Sequence, residues 1–284
     1  KKVKPLQSKI AEIGIDFDLF VASLGDSRRT CKWAKLPNTY YCIHSTVSKT
    51  GISKFFRKVS YFFQKKFNKK LNLITVSKGI EQDLLGFGLD SEDVQTIYNP
   101  FDFSEIRHQA QAYRIDDKDY IVHVGRFGSG KRHDILIKAY KQSKIQQNLL
   151  LLGDDRNKTG ESARRLVKEL GLQDRVIFKG FNSNPFPYIK NAKALVLSSD
   201  FEGFGMVLVE ALALGTPIVS TNCPSGPNEI LVDELKSFLS PVGDIKALAQ
   251  NIKKMVDNPV KITQKYSSRF SAEVSAKQYL ALCD

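Results

Sequence analysis

Long apolar runs are missing from this chain. None of its 284 residues falls in a stretch approaching the roughly 18–20 uncharged apolar positions of a membrane-spanning helix. The opening "KKVKPLQSKI" also lacks the apolar run of a secretory leader. Cysteine is scarce: Cys31, Cys42, Cys223 and Cys283 stand far apart with no C-x-x-C pair. That spacing argues against a zinc site or a disulfide framework and fits a reducing cytoplasm. No RNP-like signature or helix-turn-helix pattern is present, so nucleic acid is not an expected partner. Internal repeats and low-complexity tracts are absent too.

Acidic charge is in short supply. Forty-three Lys+Arg face 30 Asp+Glu, a net charge of +13, which favours anionic partners without choosing among them. The excess is uneven. "KTGISKFFRKVSYFFQKKFNKK", Lys49 to Lys70, has eight basic residues, six aromatics and no acid. Phe55, Val59, Phe62 and Phe63 recur at helical spacing, a face that suits a core. Phe56 and Phe67 widen that face, and the flanking basic heads suit anionic lipid headgroups. The segment is therefore expected to be a helix touching an anionic membrane surface; a solvated basic face is the plainer alternative.

From Asp119 onward the chain alternates short apolar runs with amphipathic stretches. "DYIVHVG", "NLLLLGDD", "RVIFKGF", "KALVLSS" and "TPIVST" read as buried strands. Between and after them, "RHDILIKAYKQS", "ESARRLVKELGL", "PFPYIKNA", "GMVLVEALALG" and "DIKALAQNIKKMVDN" read as helices. "KITQKYSSRFSAEVSAKQYLALCD" reads as a final helix. This is the pattern of a parallel sheet covered on both faces, a doubly wound α/β domain. The first hundred residues show less of the same pattern: strands "DFDLFVASL", "NTYYCIHS", "LNLITVS" and "VQTIYNP", with helix "KGIEQDLLGFG". The expected fold is α/β with two Rossmann-like doubly wound domains, the N-terminal one incomplete. Residues 1–105 form its part, 106–265 the second domain, and 266–284 a helix returning toward the first. Asn99 to Asp119 is polar and poorly patterned, as a connection would be.

Several positions carry candidate chemistry. "HVGRFGSGKRHD" follows a strand and opens a helix, where free N–H groups and the helix dipole favour anions. Arg126 and Lys131 across that turn would neutralise a diphosphate, unless both are simply solvated. The turn is not a Walker A loop, since Arg132 follows Gly-Lys. In "SSDFEGFGMVLVEALALGTPIVS", Gly203, Phe204 and Gly205 present N–H groups at a second helix start. Ligands of open parallel sheets bind off the carboxyl ends of the strands, so both turns face one crevice. Glu202 stands at its lip. Glu210 sits inside an apolar helix, where an unpaired carboxylate costs several kcal/mol. It either accepts a diol such as ribose offers, or pairs with a lysine or backbone group. In "STNCPSGPNEIL", Ser225 and Asn228 can bond to ligand oxygens, or the loop merely caps the helix that Glu229 begins. His44 ends a strand of the first domain. The D-x-D spacing at Asp16 and Asp18 and the acids Asp116 to Asp119 flank strands and are not expected to hold metal.

"VGRFGSGKRHDILIKAY", the Glu202-x7-Glu210 spacing and "CPSGPNEIL", in that order, resemble the donor half of retaining GT-B glycosyltransferases of family 4, of the bacterial surface-polysaccharide and lipopolysaccharide type. The resemblance implies a nucleotide-diphosphate sugar as donor, a UDP-sugar favoured, with no metal or other cofactor required. Arg126 and Lys131 would hold the diphosphate, and Glu202 would contact donor-sugar hydroxyls beside the backbone of Gly203 to Gly205. Glu210 would take the ribose diol, and Phe181 would lie at the base. Ser225 would line the donor site, and His44 would reach the sugar from the first domain. The acceptor would be a glycan or a lipid-linked glycan at the inner face of the cell membrane. One departure stands out: Lys1 to Asp16 shows nothing like the strand and glycine-rich loop with which members begin, so a fragment is expected. Two other readings share these residues, a nucleotide-sugar epimerase with Glu202 as acid/base and a non-catalytic nucleotide-sugar or membrane-binding module.

Overall fold

A computed structural model describes residues 3–23, 25–46, 72–86, 93–117 and 119–283. The chain divides into two compact units, Lys1–Pro100 with Ala272–Asp284, and Phe101–Ser271. The basic-aromatic stretch Lys49–Lys70 lies outside the described residues. Among the described residues no helix is long and apolar enough to cross a membrane.

The described residues of the first unit include four parallel strands, β1 (Phe20–Ala22), β2 (Thr39–Ile43), β3 (Asn72–Thr75) and β4 (Asp93–Thr96), in that spatial order. Helices α1 (Val3–Ile13), α2 (Gly25–Ala34) and α3 (Lys78–Gly86) accompany them. All five residues of β2 are buried, as expected of a central parallel strand covered on both faces. α3 starts where the Ser77 hydroxyl accepts the Ile80 N–H at 3.3 Å, an N-cap, and it buries Ile80 and Leu84, one turn apart. The closing helix Ala272–Leu280 belongs to this unit: Ser275 Oγ donates to the Tyr98 carbonyl at 3.0 Å, and Asn38 Nδ2 donates to the Leu282 carbonyl at 3.1 Å.

In the second unit, α4 (Phe103–Gln109) precedes β5 (Tyr120–Val124), α5 (His133–Ser143), β6 (Asn148–Leu152), α6 (Lys158–Glu169) and β7 (Val176–Gly180). Then follow α7 (Phe186–Asn191), β8 (Ala194–Leu197), α8 (Met206–Leu214), β9 (Ile218–Thr221), α9 (Pro227–Ile230), β10 (Leu239–Ser240) and α10 (Ile245–Asp257). The six strands are parallel in the order β10-β9-β8-β5-β6-β7. The chain winds outward from β5 to β7, then returns to place β8 on the other side of β5. This is the doubly wound Rossmann order, and the β5/β8 junction is its switch point. The central runs Ile121–Val122, Leu149–Leu151 and Ala194–Leu197 are wholly buried.

Two expectations need correction. The stretch taken as a plain connection contains α4, started by Asp102, whose carboxylate accepts the Glu105 N–H at 2.9 Å. A good cap and a buried Ile106 suffice for two turns in a polar stretch. The last 24 residues are not one helix. Two 3₁₀ turns, Gln264–Tyr266 and Ser268–Phe270, come first, and the α-helix begins only at Ala272. Thr263 and the adjacent Ser267 and Ser268 disfavour helix by competing for backbone groups. Wholly buried Tyr266 and Phe270 pin the turns, and the Phe270 carbonyl accepts the Phe101 N–H at 3.1 Å.

Candidate active site

Two loops leave the carboxyl ends of the strands at the switch point, 125–132 after β5 and 198–205 after β8. Short polar links tie them together. Asp200 N donates to the Gly130 carbonyl at 2.8 Å, and Ser198 Oγ donates to the Lys131 carbonyl at 2.7 Å. Arg132, in the left-handed region at φ 49°, grips Asp134 through Nε at 2.9 Å and Asp200 through Nη1 at 3.0 and 3.1 Å. Between the loops lies the central pair. Lys131 Nζ meets Glu202 Oε1 at 2.6 Å, and Ser199 Oγ donates to the same oxygen at 2.6 Å. The Glu202 side chain is 11% exposed and that of Lys131 29%, so water screens the pair only partly.

Lys131 and Glu202, read separately in the sequence, are thus one ion pair. Arg126 is placed differently: it is exposed and makes no hydrogen bond or ion pair among the described residues. It lines a cavity of about 250 Å³ with Gly125, Gly153, Asp154, Phe181 and Asn182. Phe181 is 73% exposed there, a large apolar ring held in water.

Helix α8 starts from Gly205 at φ 91°, a conformation that L side chains rarely adopt. The Phe204 ring is buried, 6.3 Å from the Phe101 ring and 5.4 Å from the Phe270 ring. Its side chain is core, so only the backbone of Gly203 to Gly205 is left to face a ligand. Glu210 is half-buried, with no hydrogen bond or ion pair among the described residues. Among the described residues neither a lysine nor a backbone N–H satisfies the carboxylate. Burial pushes its carboxyl up from the usual 4.5 to about 7.

The "CPSGPNEIL" turn closes over the same loop. At Gly226, φ 94°, an added Cβ would lie 1.7 Å from the Phe204 carbonyl oxygen, so only glycine fits. Glu229 Oε1 accepts the Gly226 N–H at 3.2 Å, which stabilises the turn from within. Ser225 is itself left-handed at φ 66°, 2% exposed, and its buried Oγ has no partner among the described residues. Cys223 lies close enough for the Glu202 charge to act on it, and burial first, then that charge, pushes its thiol up to about 12.

A histidine pair beneath the first loop was not visible in the sequence. His123 Nδ1 lies 2.9 Å from the Val196 carbonyl and therefore carries the proton, which leaves a buried Nε2 without a partner among the described residues. His133 stacks on Phe127 at 3.9 Å and meets His123 edge-on at 4.8 Å. Burial, then the Lys131 charge, lowers the His133 pKa from 6.5 to about 4, so it is neutral at pH 7. His44 belongs to the first unit, just past β2, and is exposed. Of the acids set aside as metal ligands, Asp117 pairs with Lys179 at 2.6 Å, and Asp119, before β5, accepts from Gln147 at 3.1 and 3.2 Å. No cluster able to hold a metal occurs among the described residues.

Residues 105–273 match the family described as "Glycosyl transferases group 1". The chain is 32% identical over 202 residues to N-acetylgalactosamine-N,N'-diacetylbacillosaminyl-diphospho-undecaprenol 4-alpha-N-acetylgalactosaminyltransferase of Campylobacter jejuni, covering 70% of this chain and 54% of that protein. It is 29% identical over 194 residues to lipopolysaccharide 1,6-galactosyltransferase of Salmonella typhimurium, covering 66% and 53%. The chain spans about half the length of the curated relatives it matches. Among solved structures, Anabaena HepE in complex with UDP and glucose superposes with a TM-score of 0.79 at 23% identity, covering 98% of this chain and 80% of that one. TarM does so with a TM-score of 0.74 at 20% identity, covering 94% and 54%. These likenesses establish a GT-B architecture of two Rossmann-like halves.

Proposed function

The chain belongs to the group 1 glycosyltransferases, and from that premise we propose that it serves a retaining transfer of sugar from a UDP-sugar to a glycan or lipid-linked acceptor in surface-polysaccharide assembly. The observation that carries this reading is Glu210, a half-buried carboxylate without a partner among the described residues, in a helix that starts at the switch-point crevice. Two ribose hydroxyls would supply the donors it lacks. The base would lie against Phe181 in the cavity beside Arg126, and the diphosphate would draw on Arg126 and Lys131. Glu202, Gly203 to Gly205 and Ser225 would face the sugar.

The chemical demand is stabilisation of charge on the departing diphosphate as an oxocarbenium-like sugar forms. Fixed cations and helix N-termini meet it electrostatically, without a metal ion in the scheme. In this reading no side chain acts as the nucleophile. Front-face attack, with the leaving phosphate accepting the acceptor proton, is the mechanism that fits. One relative is named for a diphospho-undecaprenol acceptor and one for lipopolysaccharide, which supports a lipid-linked or lipopolysaccharide acceptor. The basic-aromatic composition of Lys49–Lys70 supports an acceptor at the inner membrane face.

The test is incubation of the protein with a panel of UDP-, GDP- and ADP-sugars, with and without glycan and lipid-linked acceptors. Transfer from a UDP-sugar with the anomeric configuration kept is the expected result. Epimerised donor without transfer, or inversion at the anomeric carbon, would overturn it.

A further inference from the structure

The two serines that follow β8 each hold one side of the central ion pair. Ser198 Oγ fixes the Lys131 backbone through its carbonyl, while Ser199 Oγ donates directly to Glu202 Oε1. Ser199 is wholly buried, and its own backbone is held by Thr221 Oγ1, which donates to the Ser199 carbonyl at 2.6 Å from wholly buried β9. A hydroxyl so restrained has its direction set before any ligand arrives. The ligand-free site therefore has one carboxylate oxygen with two donors, a cation and a hydroxyl, each 2.6 Å away.

This arrangement matters most when the cation leaves. A diphosphate that draws Lys131 away strips Glu202 of its charge partner inside a largely desolvated site. The carboxylate must then be held by something that does not compete for phosphate. We propose that Ser199 is the positioning residue for Glu202 in the donor complex, keeping the carboxylate aimed at the sugar once Lys131 has turned to the diphosphate. The proposal rests on the reading of the site as a UDP-sugar site. It assigns the two serines unequal duties: Ser198 shapes the loop that presents the cation, and Ser199 acts on the group that reads the sugar. Since Ser199 acts through Glu202, its contribution must vanish when Glu202 is gone.

The test is a double-mutant cycle in calorimetric binding of UDP, UDP-galactose and UDP-N-acetylgalactosamine, the latter two chosen from the sugars that the similar transferases carry in their names. A hydrogen bond to a charged group is worth enough that Ser199→Ala should weaken binding of the preferred UDP-sugar by about ten- to a hundredfold, while UDP alone binds as to the parent. In a Glu202→Ala background the same substitution should change nothing. Thermal melting of each variant checks that the fold is intact. Equal UDP-sugar affinity of parent and Ser199→Ala would overturn the proposal. So would an equal loss for UDP and UDP-sugar, or an undiminished Ser199→Ala effect in the Glu202→Ala background. Failure of the parent to bind UDP or either sugar nucleotide would instead overturn the donor-site reading itself, and this proposal with it.

Discussion

Replacing Glu210 should make the protein more stable and less able to bind its ligand. Burial raises this carboxyl from 4.5 to about 7, and nothing among the described residues compensates. Between those pH values the folded chain keeps a proton that the unfolded chain has released. Stability therefore falls as pH rises through that window, and the full penalty is present above it. The gap corresponds to about 3 kcal/mol. Glu210→Gln has nearly the same shape and no charge to desolvate. Urea unfolding should show the variant about 2–3 kcal/mol more stable than the parent at pH 8, with the difference gone at pH 4. Binding should move the other way. Two charge-assisted hydrogen bonds from ribose are worth about 3 kcal/mol, so Glu210→Ala should weaken UDP roughly a hundredfold at pH 8. Parent affinity for UDP should rise with pH through 7, since the carboxylate is the form that accepts both hydroxyls. A stability difference independent of pH, or equal UDP affinity of Glu210→Ala and parent, would refute the reasoning.

Two further substitutions probe the frame around the site. Gly226→Ala drives a methyl group into the Phe204 carbonyl at a φ of 94°, and should destabilise the protein by about 3 kcal/mol or more in denaturant unfolding. His133 titrates at about 4 in the folded chain and at 6.5 when unfolded, so stability falls as pH drops across that window. His133→Phe, which keeps the ring against Phe127, should flatten that loss by up to about 3 kcal/mol at pH 4, as read from melts at pH 4 and pH 7.

Much of the second unit can be read from sequence because its signals are local. Four- and five-residue apolar runs marked the strands, and glycine turns after β5 and β8 marked the loops. Glu210 announced itself as a charge in an apolar helix, and it has no partner among the described residues. What was not legible depends on strand order. Lys131 and Glu202 stand 71 positions apart and meet only because β8 returns to lie beside β5. The same folding step brings Arg132 to Asp200 and Ser198 to the Lys131 carbonyl. Ser199 carries no sequence signal, because a serine after a strand is ordinary until its hydroxyl is seen on a carboxylate. The final segment failed for the opposite reason. Its helical spacing is sound, but local hydroxyl competition and the burial of Tyr266 and Phe270 favour turns.

The most direct measurement is a crystal structure of the protein with UDP. The expected result has uracil against Phe181, the ribose hydroxyls on Glu210, and the diphosphate between Arg126 and Lys131, with Lys131 drawn away from Glu202 while Ser199 keeps its hold. UDP bound elsewhere, or a ribose remote from Glu210 with the Lys131–Glu202 contact unchanged, would contradict it.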